Sequence, residues 1–354
     1  MTDFKKELQE LVDIILKEGA SDLHITALRK PTIRVSGGLI PLVSRPVLTP
    51  DDAAGLVYEF MGEDNKKLFL ERKDLDFAYS GHNGLRFRGN AFFQRGFIGC
   101  ALRAIQTNIK TVEELSLPPI LKEFVQKKQG FFLVVGPVGQ GKSTTLAALI
   151  ELVNRERSEH ILTIEDPVEY IFTGDRSIID QREVRFDTET FQTALRSMFR
   201  EDINVAMIGE MRTAETISAA VTAAETGHLV LSTLHTNNAS QTIDRIIDSF
   251  QAEQQNQIRA QLAGSLLGVF SQRLIPRISG GLIPAYELLI NNSAVSNLIR
   301  EGRVSEINVV IETSSESGMI DMNHSLADLV RRGEISADIA RTYSLNLRGL
   351  ERLL

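Results

Sequence analysis

Phe131-Phe132-Leu133-Val134-Val135-Gly136-Pro137-Val138-Gly139-Gln140-Gly141-Lys142-Ser143-Thr144 is the stretch whose reading decides the fold. Its unbroken apolar opening reads as a strand buried on both faces, the kind that sits inside a parallel sheet. Gly136 to Ser143 then fits G-x-x-x-x-G-K-[ST] without a mismatch. Thr144 to Asn154 carries the composition of a following helix. Strand, glycine-rich loop and helix in that order form a phosphate cradle. Glycines let backbone N–H groups turn inward, and the helix amino terminus adds partial positive charge. Lys142 reaches terminal phosphates and the Ser143 hydroxyl ligates magnesium, so ATP with Mg2+ is the expected ligand of Gly136, Pro137, Val138, Gly139, Gln140, Gly141, Lys142, Ser143 and Thr144.

Outward from the loop, similar apolar runs recur at Ile161–Ile164, Val205–Ile208 and Leu229–Ser232, mostly separated by helical stretches. Alternating strands and helices imply an α/β unit with a mostly parallel sheet. Two of these strands end in acids: Glu165 and Asp166, with Glu169 beyond, after the first, and Glu210 after the second. Ligands of open parallel sheets bind outside the carboxyl ends of the strands. An acid there either orients an attacking water or simply caps a strand in solvent. His228 and His235 flank the apolar run between them, and spacing alone leaves each open between a structural and a nucleotide-facing role.

The first 107 residues follow a different pattern. Leu8, Leu11, Val12 and Ile15 keep helical spacing, with Gly19 as the stop. Short strand-like runs follow at 23–25, 32–35 and 39–43, with Gly37-Gly38 as a hairpin turn. A helical stretch at 48–71 and three further strands at 76–79, 85–93 and 99–104 complete a small α+β domain. Residues 108–119 form the expected linker, 120–277 the ATPase core and 278–354 a carboxy-terminal helical region. From about Ala260 onward the chain reads mainly as helices.

Hydrophobic residues make up 43% and charged residues 24% of the 354, as in a soluble globular protein of two domains. Cys100 is the one cysteine, which excludes an internal disulfide or a cysteine zinc site and fits a reducing, cytoplasmic setting. The net charge of −7 argues against nucleic acid as a partner. No apolar run approaches the roughly 18 residues of a membrane span, so any membrane role is expected to go through a partner.

Taken together, the motifs resemble the secretion and pilus ATPases, and within them the branch that retracts type IV pili. The pattern appears as Gly19 to His24, Arg86-Phe-Arg-Gly-Asn90-Ala-Phe, the phosphate loop and the acidic box Thr163 to Glu169. It continues through Arg196 to Asp202, Gly209-Glu-Met-Arg212 and the histidine box, Ala223 to His228 and Thr233 to Thr236. The resemblance implies a PAS-like amino-terminal α+β domain followed by a RecA-like P-loop ATPase domain with carboxy-terminal helices, assembled as a homo-hexamer. Glu210 becomes the catalytic glutamate, Glu169 an acidic-box residue at the nucleotide, and His235 a sensor near the γ-phosphate. Glu165, Asp166 and His228 join the nucleotide surroundings. Arg86, Arg88 and Arg103 are implied to reach a neighbour's nucleotide. The implied partner is the inner-membrane pilus platform protein, met at the cytoplasmic face.

Three departures from the family pattern stand out. Val138 and Gln140 replace small polar residues in the loop, and Asn204 stands where an acid usually precedes the second acidic strand, which leaves magnesium coordination by that strand open. The retraction branch's Ala-Ile-Arg-Asn-Leu-Ile-Arg-Glu reads Ala294-Val-Ser-Asn-Leu-Ile-Arg-Glu301 here. Two other readings follow from these departures: a nucleotide-binding accessory subunit with little hydrolysis, and a secretion or assembly ATPase of the same fold.

Overall fold

A computed structural model describes residues 3–35, 37–82, 85–105 and 108–354. The chain divides into two compact units, Met1–Thr107 and Asn108–Leu354.

In the first unit, α1 (Phe4–Glu18) is capped by the Asp3 side chain and ends on Gly19 in the left-handed region. Then come β1 (Asp22–Thr26), β2 (Thr32–Val35), β3 (Gly38–Pro41), α2 (Pro50–Arg72, kinked at Gly62), β4 (Asp74–Ser80), β5 (Arg86–Gln94) and β6 (Phe97–Ala104). The strands form one antiparallel sheet in the order β3-β2-β1-β6-β5-β4. Strand alternation sends Phe87, Gly89 and Ala91 toward the core and leaves Arg86 and Arg88 half-buried on the opposite face. Cys100 lies in the core, where burial pushes its thiol pKa far up and makes it a poor nucleophile.

The second unit opens with the stretch expected to be a linker. Gln106 and Thr107, just before it, lie outside the described residues. Residues 108–119 pack onto this unit: Val112 and Leu117 are buried in a cluster with Phe132 and Leu149. Thr111 and Glu114 exchange backbone-to-side-chain hydrogen bonds that close the turn locally. Then follow α3 (Leu121–Val125), β7 (Gly130–Val135), α4 (Lys142–Glu156), β8 (His160–Glu165), β9 (Ile178–Glu183), α5 (Phe191–Met198), β10 (Val205–Ile208), α6 (Ala214–Glu225) and β11 (Leu229–Leu234). The chain continues with α7 (Ala239–Asp248), α8 (Ala252–Ser265), β12 (Leu266–Pro276), β13 (Leu282–Ile290), α9 (Ser293–Glu301), α10 (Ile307–Thr313), α11 (Met322–Arg331), α12 (Ala337–Tyr343) and α13 (Leu347–Glu351).

The sheet order is β13-β12-β7-β11-β10-β8-β9. Every pairing from β12 to β9 is parallel, and β13 alone runs against its neighbour. All six residues of β7 are buried. Phe132 and Val134 feed the core on one face of the sheet, and Phe131, Leu133 and Val135 feed the core on the other. Each such side chain contributes about 1.5–3 kcal/mol of burial, which is why this run has no polar alternation.

The expectation of helices from Ala260 onward is corrected here. A long hairpin, β12 and β13, occupies 266–290, turning through Gly280 and Gly281 at positive φ. The boundary expected at 277/278 therefore falls in the turn of that hairpin. Ser279-Gly280-Gly281 between two apolar runs was the signal for it. The helix read for 144–154 is α4, and helices also follow β13.

Candidate functional site

The phosphate loop leaves β7 and enters α4 where the motif predicted. Gly136, Gly139 and Gly141 all take positive φ, at 147°, 77° and 76°. At Gly136 no other residue fits, because a Cβ would stand 2.4 Å from the Gln272 carbonyl oxygen. The first turn of α4 therefore presents its unpaired N–H groups to the loop's concavity, the surroundings an anion needs.

Lys142 begins the helix and is only 7% exposed. Its ammonium donates to the carbonyls of Gly136 and Pro137, at 2.8 and 2.9 Å, and meets His235 Nδ1 at 3.1 Å. Burial pulls its pKa down, while the charges of Glu210 and Glu169 oppose that shift. A lysine ammonium only donates, so His235 Nδ1 is the acceptor and the imidazole proton sits on Nε2. That Nε2 faces Glu210 Oε1 at 3.2 Å. The other Glu210 oxygen accepts from Arg212 at 2.8 Å. Burial raises the Glu210 pKa, but the hydrogen bond and charge of Arg212, with the hydrogen bond from His235, outweigh it and hold the carboxyl below its usual range. Lys142, His235, Glu210 and Arg212 thus form one chain at the carboxyl ends of β10 and β11.

The acidic box divides by position. Glu169 is exposed and its charge is felt at Lys142. Its neighbour Tyr170 shares a hydrogen bond of 2.8 Å with Thr144 in the first turn of α4. Glu165 turns inward instead. It is 6% exposed, accepts from Thr163 Oγ1 at 2.8 Å and from Gln181 at 3.3 Å, and burial pushes its pKa up to about 7. Asp166 pairs with Arg185 at 3.7 Å. Ser143 is half-buried in the first helical turn, and Val138 lies exposed at the loop's apex.

Two expected contributors are placed elsewhere. His228 precedes β11, at the amino end of the sheet, where Nδ1 faces the Ala223 carbonyl at 3.1 Å and the ring packs edge-on to Phe199. Seven residues at ~3.3 Å each put it about 23 Å along the strand from His235. Asn204 lies at the same end. Its side chain accepts from the His160 N–H at 2.8 Å and its backbone pairs with β8 and β11. That is the opposite end of the strand from the phosphate loop, which stands at the carboxyl ends.

In the first unit, Arg88 and Arg103 face each other across β5 and β6, and Asp22 lies opposite Arg103 on β1. Asp22 accepts from Arg103 at 2.9 Å and pairs with Arg34 at 3.7 Å. Burial works against the Asp22 carboxylate, yet bonds from Ser21 and Arg103 bring its pKa below the usual range. Arg86 extends the same basic face two residues along β5.

Arg212 was quoted only as the end of the Gly209–Arg212 motif, without a role, and Tyr170 and Gln272 were not singled out from the sequence. Arg212 stands two residues after Glu210, and Gln272 interrupts an apolar run with Ser271 and Arg273. That interruption of a buried strand is the one local signal for it.

Residues 99–341 match the family described as Type II/IV secretion system protein. The chain belongs to that family. Among relatives of this family member, the type IV pilus retractation ATPase PilT of Pseudomonas aeruginosa is 42% identical over 335 residues, 95% of this chain and 97% of that protein. A twitching motility protein of Neisseria gonorrhoeae is 42% identical over 317 residues, 89% of this chain and 84% of that one. A crystal structure of the pilus retraction motor PilT with bound ADP superposes with a TM-score of 0.91 at 43% identity, covering 97% of this chain and 98% of that one. Among the described residues of this secretion-system family member, no helix is long and apolar enough to cross a membrane.

Proposed function

We propose that this chain is an ATP-hydrolysing motor that powers type IV pilus retraction, working as a cytoplasmic homo-hexamer against an inner-membrane platform protein. One observation carries the chemistry: the Lys142–His235–Glu210–Arg212 chain at the mouth of an intact phosphate loop. A near full-length likeness to a retraction ATPase supports the biological direction.

Lys142 has its donors directed at loop carbonyls and His235, so a nucleotide phosphate takes over one or more of those contacts. Glu210, kept ionised by Arg212, orients the attacking water and takes up its proton. His235, with its proton on Nε2, holds Glu210 in place and links it to the lysine. Among the described residues no cluster of three acids, histidines or cysteines is built to hold a metal. The Ser143 hydroxyl, in the first turn of α4, is the side chain that would hold a Mg2+ ion here. Such an ion would supply neutralisation of phosphate charge.

The basic face of the first unit supports a role for Arg86, Arg88 and Arg103 in trans, at a neighbour's nucleotide. Such arginines compensate transition-state charge and are worth roughly 10³–10⁵ in rate in related systems. In that reading Arg103 exchanges Asp22 for phosphate, while Arg86 and Arg88 stand ready.

Helix α9 buries Val295 and Ile299 and exposes Asn297 and Arg300, which bond to each other at 2.8 Å. An exposed polar ridge on a packed helix suits transient docking and the transmission of motion. The test has two arms. Phosphate release by the pure protein separates a motor from an accessory subunit, and inactivity overturns the enzyme reading. In cells, loss of the gene leaves excess pili that do not retract. A strain carrying Asn297→Ala with Arg300→Ala keeps ATP hydrolysis within about twofold yet fails to retract. Normal retraction in the deletion strain refutes the function, and normal retraction in the double variant removes α9 from the coupling.

A further inference from the structure

Gln272 lies in β12, 132 positions from the loop residue it touches, and is 2% exposed. Its Nε2 donates to the Gln140 carbonyl at 2.6 Å. Its Oε1 accepts from the Thr145 hydroxyl, one turn into α4, at 2.7 Å. In return the Gln140 side chain accepts from the Leu274 N–H at 2.7 Å. The amide's orientation is chemically forced: a carbonyl only accepts, so the NH2 end must face Gln140. Both glycine ends of the loop also rest on this residue. A Cβ at Gly136 would meet the Gln272 carbonyl at 2.4 Å, and one at Gly141 would meet Gln272 Nε2 at 3.0 Å.

We propose that Gln272 is a positioning residue for nucleotide binding: it holds the Gln140 carbonyl toward β12 and thereby aims the Gly141 N–H into the phosphate loop. The step from one to the other is geometric. In a planar trans peptide the C=O and the following N–H point in opposite directions. Clamping the Gln140 oxygen against β12 therefore turns the Gly141 N–H away from β12, toward the concavity. Gly141 sits at a φ of 76°, where a freed peptide flips readily because glycine has no Cβ to oppose it. Gln272 thus acts through the backbone of Gln140 and Gly141 and does not itself touch the nucleotide. The inference rests on the reading that this loop binds nucleotide phosphates.

The experiment measures ADP affinity together with ATP turnover in the full-length protein. Gln272→Glu keeps the side-chain volume. At pH 8 its carboxylate cannot donate to Gln140, and ADP binds about tenfold more weakly than in the parent, the size of one broken buried hydrogen bond. As pH falls to 5.5 the acid, its pKa raised by burial at this position, takes up a proton and regains one donor and one acceptor. The affinity ratio to the parent then returns to within about threefold, and taking the ratio at each pH cancels the titration of the nucleotide. Gln272→Leu is weak at both pH values. At saturating ATP, kcat stays within about threefold for both, because Glu210 and His235 are untouched, so the loss falls on KM. If Gln272→Glu does not fold, Thr145→Val carries the test: with the Oε1 end of the amide no longer anchored, ADP affinity drops about threefold. Parental affinity in Gln272→Glu at pH 8, in Gln272→Leu or in Thr145→Val overturns the inference, as does a fall in kcat with KM unchanged. A parent protein that binds no ADP sinks the nucleotide reading itself, and this inference with it.

Discussion

The two ends of β10 and β11 carry similar residues and do different things. At the carboxyl ends, Glu210 and His235 are drawn into a chain with Lys142 and Arg212. At the amino ends, Asn204 and His228 are spent on the backbone of neighbouring segments, at His160 and Ala223. Side-chain chemistry alone does not separate the two histidines. What separates them is the direction of a parallel sheet. All carboxyl ends emerge on one edge, where loops are free to diverge and the helix amino terminus of α4 supplies positive potential. At the other edge, a polar side chain serves best by satisfying backbone groups that the sheet leaves unpaired.

The largest expected effect tests the near end. Lys142→Ala removes the one buried ammonium at the loop, and nucleotide affinity or turnover should fall at least a hundredfold. Near-parental affinity and turnover, measured by titration with labelled ADP and by phosphate release, would break the comparison at its root. Glu210→Gln comes next. It keeps the volume but loses the base, so ATP should still bind while hydrolysis slows at least tenfold. Unchanged turnover removes Glu210 from the chemistry.

A subtler change sharpens the electrostatics of the same end. Arg212 helps hold the Glu210 carboxyl below its usual pKa. A carboxyl with a depressed pKa is ionised above that value and is lost as a base when pH falls through it. In Arg212→Ala that depression relaxes, so the acid limb of the kcat profile should move to higher pH, with the plateau lowered less than tenfold. A profile that keeps its acid limb in place dissociates Arg212 from Glu210.

The smallest effects belong to the far end. Asn204→Ala and His228→Ala should leave kcat and KM within about twofold. The cost appears instead in stability, about 1 kcal/mol for Asn204→Ala, because the His160 N–H loses its acceptor. Asn204→Asp, which restores the acid usual in the family, should not raise turnover. Either far-end variant losing activity at unchanged stability would erase the distinction between the ends.

Much of this was legible locally. The phosphate loop is a contiguous motif whose glycines, lysine and flanking strand and helix are all within reach of each other along the chain. Buried parallel strands announce themselves as apolar runs, since both of their faces lie in cores. The hairpin at 266–290 was harder. Leu266 to Ile275 is apolar, then polar at Ser271-Gln272-Arg273, then apolar again, a mixture that neither strict alternation nor helical spacing describes. Its polar centre makes sense only beside the phosphate loop. Glu165 and Glu169 illustrate the other limit. Both sit in one acidic box, yet the first is folded inward to Thr163 and Gln181 and the second faces outward, within range of Lys142.

By itself the sequence determined that a strand, a glycine loop and a helix make a phosphate cradle at Gly136 to Ser143. It also set two differently patterned units, one of short strands and one of buried parallel ones. These follow from interactions between residues close in the chain, where backbone conformation and side-chain periodicity decide the outcome. Tertiary structure decided which histidine meets Lys142, which acid that histidine reaches, and that Gln272 would brace a loop 132 positions away. The physical reason is packing. Once β12 lies against β7, a buried amide must find partners within about 3 Å, and the partners available are the loop carbonyl and the helix hydroxyl that happen to stand there.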